Sequence, residues 1–391
     1  MRFINIAFIF LGCIVELFIS GLIYGWTSLL LVMRMENIYI NSIDRELTFS
    51  TIYNVSIALR QISELGHGIL NDYVGSKWTL LLDNILFSVG CILYACYPYS
   101  EYTLYPAMIC LSVAGSGCHI ALLSLSKYIS KNKDSIIQTL FNCCHNAASI
   151  ILYVYYIIYK ETGYPSSKFF TYYSFLSSSI ALLCLWLPQT KCVKYNIKDI
   201  IKLYKNTHFL IILIYTLLFS YWTSAYYATV ANRVDDILVE HFSIIIPCIS
   251  IALSVPIGFL LLKINDIHKI IIIGILTILW SISVLLPNIH PISYTSFVLF
   301  GVMKAIFYPI ITDYIIKYFG YTHIGIIYGI TLTLTGPITF SYIPVIDLSL
   351  YNKTFWISDL VQLLSFILIF ILSILRYTIY DKCCPPSTNS N

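Results

Sequence analysis

The chain has 391 residues, of which 58% are hydrophobic and only 11% charged, where an ordinary soluble domain carries about 45–50% apolar and about 25% charged residues. With a mean hydropathy of +0.81 there is more apolar surface than a single core can hide, which excludes a water-soluble globular protein. The net charge of +4 is slight and spread along the chain, which excludes a nucleic-acid-binding face and makes the lipid bilayer the first expected partner.

A helix crossing a bilayer needs about 20 apolar residues. The first apolar run, residues 3–33, follows Arg2 as a leader would. It far outlasts the roughly 7–15 residues of a secretory signal core, so it predicts a retained transmembrane helix. Further runs at 47–70, 78–97, 104–128, 136–159, 169–187, 207–230, 242–262, 269–287, 293–316, 321–346 and 354–380 predict eleven more. The pairs around Gly75 and Gly320 are joined by turns so short that they must form helical hairpins. Most of the twelve cysteines, such as Cys91, Cys110, Cys184 and Cys248, fall inside these runs and read as small buried hydrophobes rather than a disulfide framework.

Positively charged loops stay on the cytoplasmic side. With the N-terminus inside, fifteen lysines and arginines fall in cytoplasmic segments and six in outer ones (Arg34, Arg45, Lys160, Lys168, Arg233 and Lys353). Both termini are therefore expected in the cytoplasm. The lysines from Lys191 to Lys205 mark a linker between two six-helix halves: 1–187, a linker 188–206, 207–380, and a tail 381–391. An internal repeat supports the halves. Gly68-Ile-Leu70 recurs as Gly258-Phe-Leu260, and Lys127-Tyr128 with Ile136-Ile137 recurs as Lys317-Tyr318 with Ile326-Ile327. Both pairs share one offset, as parallel halves of a transporter would.

The most specific local signal is Gly68-Ile69-Leu70-Asn71-Asp72-Tyr73-Val74-Gly75-Ser76-Lys77. It resembles the major facilitator signature G-x-L-x-D-x-x-G-x-K/R. Tyr73 and Ser76 stand where the signature carries arginines, and Leu262 stands where a second copy would place its acid. Glycine permits the tight hairpin, and an acid at a helix end can latch one conformation. Gly68, Asp72, Gly75 and Lys77 are thus the expected gate. More narrowly, the chain resembles the facilitative large-neutral-amino-acid transporter family and its apicomplexan amino acid transporter relatives. That resemblance is carried by Gly21-Leu-Ile-Tyr24-Gly25-Trp26, by Ser135-Ile-Ile-Gln-Thr-Leu-Phe-Asn142, and by Phe319-Gly320 with Gly325-Ile-Ile-Tyr328-Gly329. It implies an all-α, twelve-helix major facilitator fold with two pseudo-symmetric halves, moving an amino acid by facilitation or exchange. In that fold the first, fourth, seventh and tenth helices line the path.

Polar side chains inside a bilayer are costly and normally face a cavity or another helix. Glu16, Ser20, Tyr24 and Thr27 form one stripe on the first helix, and Gln138, Asn142, His145, Asn146 and Ser149 form one on the fifth. The seventh offers Thr216, Ser220, Thr223 and Tyr227, the tenth Lys304 and Tyr308, and the eleventh Tyr328, Thr331, Thr335, Thr339 and Tyr342. A zwitterionic substrate needs a cation for its carboxylate, acceptors for its ammonium and an apolar or aromatic wall. Lys304 supplies the first, Glu16 or Asn142 the second, and Tyr24, Trp26, Tyr227 and Tyr308 the third, with His145 and Asn146 beside them. Arg60 and Glu64, four residues apart on the second helix, read first as a mutual structural pair.

His67, His119 and His145 raise proton coupling, with Glu16 as its centre, although satisfied buried histidines are the commoner outcome. Cys143-Cys144-His145 lacks zinc-ligand geometry, and neither metal nor cofactor is expected. Gly21-x-x-x-Gly25 and Gly115-x-Gly117 read as sites of close helix packing. Asn352-Lys-Thr354 is a formal glycosylation sequon, and Cys383 and Cys384 are formal palmitoylation candidates. No enzyme signature is present. The expected protein is a monomeric multi-pass transporter of the plasma membrane, with an organelle membrane as the alternative, and with a small-molecule substrate, favoured as an amino acid. Its rivals are a carrier of another polar metabolite (sugar, nucleoside or monocarboxylate) and a transporter-like sensor that no longer transports.

Overall fold

A computed structural model describes residues 3–40, 42, 44–129, 134–190, 207–286, 290–319, 324–352 and 354–383. Most of the expected linker, from 191 to 206, lies outside these residues, as do Lys131, Lys133, Gly320 and the end of the tail. The described chain is helical in twelve successive segments. The first, α1, is broken: Phe3–Val15, a π-turn at Glu16–Ser20, a 3-10 turn at Leu22–Gly25, then Trp26–Met35. There follow α2 (Arg45–Val74), α3 (Ser76–Ala95), α4 (Leu104–Ile129), α5 (Asp134–Ala147 with Ser149–Thr162) and α6 (Ser166–Cys184). The later six are α7 (Thr207–Arg233), α8 (Asp236–Lys263), α9 (Asp266–Leu285), α10 (His290–Phe319), α11 (Ile324–Thr333, Thr335–Phe340 and Tyr342–Asn352) and α12 (Phe355–Cys383).

Among the described residues eight helices are long and apolar enough to cross a membrane, or nine if bent α1 is one span. The other three are α2, α6 and α7, with 30, 19 and 27 residues. At about 1.5 Å per residue they are also of membrane-crossing length. They read as less apolar because they carry interior polar groups, such as Arg60 and Glu64 on α2. The protein is an all-α membrane protein.

Packing sorts the helices. The pairs α3 with α6 and α9 with α12 stand on the flanks, while α1, α2, α4 and α5 of the first six meet α7, α8, α10 and α11 of the last six. Small residues set the closest approaches. A Cβ at Gly21 would lie 1.9 Å from the His145 carbonyl oxygen, and one at Gly115 would lie 2.4 Å from that of Ser20. The expected close packing of α1 against α4 and α5 is therefore built on glycine. The hairpin between α2 and α3 turns at Gly75, whose φ of 91° suits glycine alone. Gln189 and Thr190 cover that turn, Thr190 accepting the Ser76 N–H at 2.9 Å.

Candidate functional site: a central cavity

The break in α1 determines what its polar residues reach. A regular helix would put Glu16, Ser20, Tyr24 and Thr27 on one stripe, but a π-turn and a 3-10 turn change the register. Glu16 points between α4 and α5, Tyr24 faces the centre, and the Thr27 hydroxyl meets that of Ser243 on α8 at 2.7 Å. Such π-turns often accompany function because they re-aim side chains.

At the centre lies a narrow cavity. Its floor and walls come from α1 (Tyr24), α2 (Tyr53, Ile57, Arg60, Gln61 and Glu64), α4 (His119), α5 (His145), α7 (Ser220, Thr223, Ser224 and Tyr227), α10 (Lys304 and Tyr308) and α11 (Tyr328 and Leu332). Among the described residues α3, α6, α9 and α12 contribute nothing to it. Its polar residues are nearly shut off from water, Lys304 at 1% exposure, Glu64 at 3% and Arg60 at 6%.

Contacts between the first six and last six helices close the cavity from both faces. On the face bearing the α2–α3 hairpin, Gly68 lies so near Gly325 that an added Cβ would be 2.2 Å from its carbonyl oxygen, and Asp72 abuts the same glycine. Farther along, the Thr333 hydroxyl accepts the Leu65 N–H at 2.9 Å, and the Thr339 hydroxyl donates to Gln61 Oε1 at 2.7 Å. Lys77 stands partly exposed on the first turn of α3. On the opposite face the Arg34 guanidinium reaches Glu46 at 2.6 Å, Asp236 at 3.1 Å and Asn232 Oδ1 at 3.0 Å, tying α1 to the α7–α8 corner. Lys160 pairs with Glu240 at 3.2 Å beside it.

The cavity's chemistry is that of two cations. The Lys304 ammonium sits 3.3 Å from the Tyr24 ring centroid and 4.8 Å from that of Tyr227, and it donates to the Tyr227 hydroxyl at 3.1 Å. No carboxylate lies within ion-pair distance of it among the described residues. Arg60 lies 5.1 Å over Tyr24 and only loosely near Glu64, at 3.8 Å. Its Nη2 donates to His145 Nε2 at 3.1 Å, whereas its buried Nη1 has no hydrogen-bond partner. Because a guanidinium only donates, His145 Nε2 must be the acceptor and its proton must sit on Nδ1. That N–H faces the Ser20 hydroxyl at 2.6 Å and Glu16 Oε2 at 3.2 Å, and Ser20 in turn donates to the Gly115 carbonyl at 3.0 Å. The other Glu16 oxygen meets His119 Nδ1 at 2.8 Å. Glu16, His119 and His145 bring ligand atoms close enough to hold a metal ion. With both His145 nitrogens engaged and Arg60 adjacent, the arrangement favours a proton network over a cation site.

Several predicted residues are placed elsewhere. Glu16 is fully buried behind the two histidines and does not line the cavity. Trp26 packs 5.4 Å from Tyr53, behind the wall rather than in it. Asn142 donates back to the Gln138 carbonyl at 2.9 Å, and Asn146 is buried away from the lining, its amide without a hydrogen-bond partner. Tyr24, His145, Tyr227, Lys304 and Tyr308 are brought together around the cavity. The largest omission is α2, whose Tyr53, Ile57, Arg60, Gln61 and Glu64 share one helical face at spacings the sequence already displays. Arg60 and Glu64, expected first as a structural pair with a path role less favoured, both turn to the cavity on that face.

Among the described residues twelve helices surround a polar central cavity closed at both faces, an architecture suited to a transporter. The chain belongs to the Major Facilitator Superfamily, whose family profile matches residues 17–344. Its fold is similar to that of a variant of the Escherichia coli fucose:proton symporter FucP, with 15% identity, 96% of this chain and 99% of that chain covered, and a TM-score of 0.60. It is also similar to the human organic anion transporter MFSD10, at 12% identity, 96% and 98% coverage and a TM-score of 0.66. A variant of the nucleoside transporter NupG has 13% identity, 96% and 100% coverage and a TM-score of 0.66. No curated protein sequence matches the chain.

Proposed function

We propose that the protein carries a small solute bearing a carboxylate, an amino acid being the favoured class, by alternating access. The observation that carries this reading is Lys304, a buried ammonium with no acid partner among the described residues, facing a cavity beside the unfilled Nη1 of Arg60. Leaving an ion buried and unpaired costs several kcal/mol, and a site that tolerates the cost is one that a counter-charge visits. Glu64, which lines the same cavity, supplies the carboxylate for a substrate ammonium, with the Tyr308 ring beside it. The two six-helix halves would rock about this cavity, with Gly68, Asp72, Gly75 and Lys77 at one gate and Arg34 at the other. The charge count of the loops supports both termini on the cytoplasmic side.

The test is uptake of labelled amino acids, monocarboxylates, nucleosides and hexoses into proteoliposomes, with and without unlabelled solute preloaded inside. Saturable uptake of an amino acid, accelerated by preloading, is the expected result. Uptake confined to a nucleoside or hexose would overturn the substrate class. No uptake by folded protein would leave the sensor reading standing instead.

A further inference from the structure

We infer that an anionic solute enters this cavity together with one proton, taken up on His145 Nε2 when the solute's carboxylate draws Arg60 away. This rests on the reading that Arg60 and Lys304 bind a carboxylate. In the structure Arg60 Nη2 donates to His145 Nε2 at 3.1 Å, so a guanidinium in this position and a proton on that nitrogen exclude each other. Arg60 also has an unmet donor, the buried Nη1, so a carboxylate in the cavity offers it hydrogen bonds it lacks. Movement of Arg60 toward the solute exposes the Nε2 lone pair, and a proton from water on the open side can bind there. The Nδ1–H stays on Ser20 and Glu16 throughout, so the imidazolium formed would lie against a carboxylate. When the solute leaves, Arg60 returns to His145 and the proton is displaced to the opposite side.

The charges facing His145 support one proton per anion. They are Glu16 on α1, Arg60 and Glu64 on α2, His119 on α4 and Lys304 on α10, with the tyrosines Tyr24, Tyr308 and Tyr328 on α1, α10 and α11. α8, which also packs on α5, brings no charged side chain to the cavity among the described residues. With neutral histidines, the two cations and two carboxylates sum to zero. A monoanion alone would leave a buried net charge, whereas a monoanion with a proton restores neutrality. A zwitterion adds no net charge and needs no proton.

The experiment loads proteoliposomes of the full chain with a pH-reporting dye and supplies labelled glutamate, lactate or leucine outside, with protein-free vesicles subtracted. Wild-type protein should carry at least one of the two anions with about one proton each, and leucine, if carried, with none. A gradient of about 1.5 pH units, acid outside, should concentrate the anion up to about 30-fold, since one unit is a factor of ten. Uptake should be indifferent to a potassium-diffusion potential. In H145Q, whose amide oxygen can still accept from Arg60 but cannot hold a proton, the ratio of protons to solute should fall to zero at whatever rate remains. An anion carried without protons by the wild type, or an unchanged ratio in H145Q, would overturn the inference while leaving transport intact. Carriage of leucine but of neither anion would do the same. If none of the three moves, the carboxylate reading falls and this one with it. The wild-type ratio decides the matter even where a variant fails to fold.

Discussion

Replacing Lys304 with methionine should push stability and function in opposite directions. The ammonium is 1% exposed and is held by two tyrosine faces, at 3.3 and 4.8 Å, and one hydroxyl at 3.1 Å. Taking such an ion out of water costs several kcal/mol even after relaxation. The ring faces return up to about 2 kcal/mol each, and the charged hydrogen bond about 1.5–3 kcal/mol. These contributions nearly cancel, and methionine keeps the packing of the stem against Tyr24 and Tyr227 without the desolvation cost. The empty protein should therefore gain about 0–2 kcal/mol and unfold at the same temperature or a few degrees higher. A carboxylate solute, by contrast, loses a charge-assisted hydrogen bond worth about 1.5–3 kcal/mol, so its KM should rise about 10- to 150-fold. Thermal unfolding in detergent and uptake in proteoliposomes measure the two sides separately. A lower melting temperature with an unchanged KM would show that Lys304 is a structural cation, and the assignment of its role would be wrong.

Three further outcomes follow from the gates and the helix packing. G68A places a methyl group 2.2 Å from the Gly325 carbonyl oxygen, and neither backbone can yield cheaply. That face should open, so that a cysteine introduced at the buried Thr331 is alkylated about tenfold faster or more, and unchanged reactivity would refute the gate. R34A removes half-exposed contacts to Glu46 and Asp236 worth about 0.2–1 kcal/mol each, which should widen the distance between labels at Met35 and Ile237 on the opposite face. D359A should cost about 3–5 kcal/mol, because Arg233 Nη1 contacts both Asp359 oxygens at 2.8 Å and would be left charged and buried. The double change R233M/D359M should recover most of that loss in melting temperature, and a loss equal to the single variant's would contradict it.

The sequence by itself determined the solvent, the helices and the family. Twelve apolar runs at membrane-crossing length are a property of composition, and they survive any detail of packing. The hairpin at Gly75 was legible because only glycine takes its φ of 91° without strain. Lys304, Tyr24, Tyr227 and Tyr308 were legible because polar groups amid apolar runs must face something other than lipid. Tertiary structure decided the rest. Helical periodicity predicted one stripe from Glu16 to Thr27, and the broken turns of α1 sent its members to different neighbours, a departure that no period can encode. Arg60 and Glu64 satisfy the spacing of a local pair, so sequence alone stops at that pair. Only the packing of α2 against α4 and α11 turns both into the cavity and sets Arg60 on His145. Spacing along a chain fixes which residues share a helix face, whereas the partner of that face depends on helices far away in sequence.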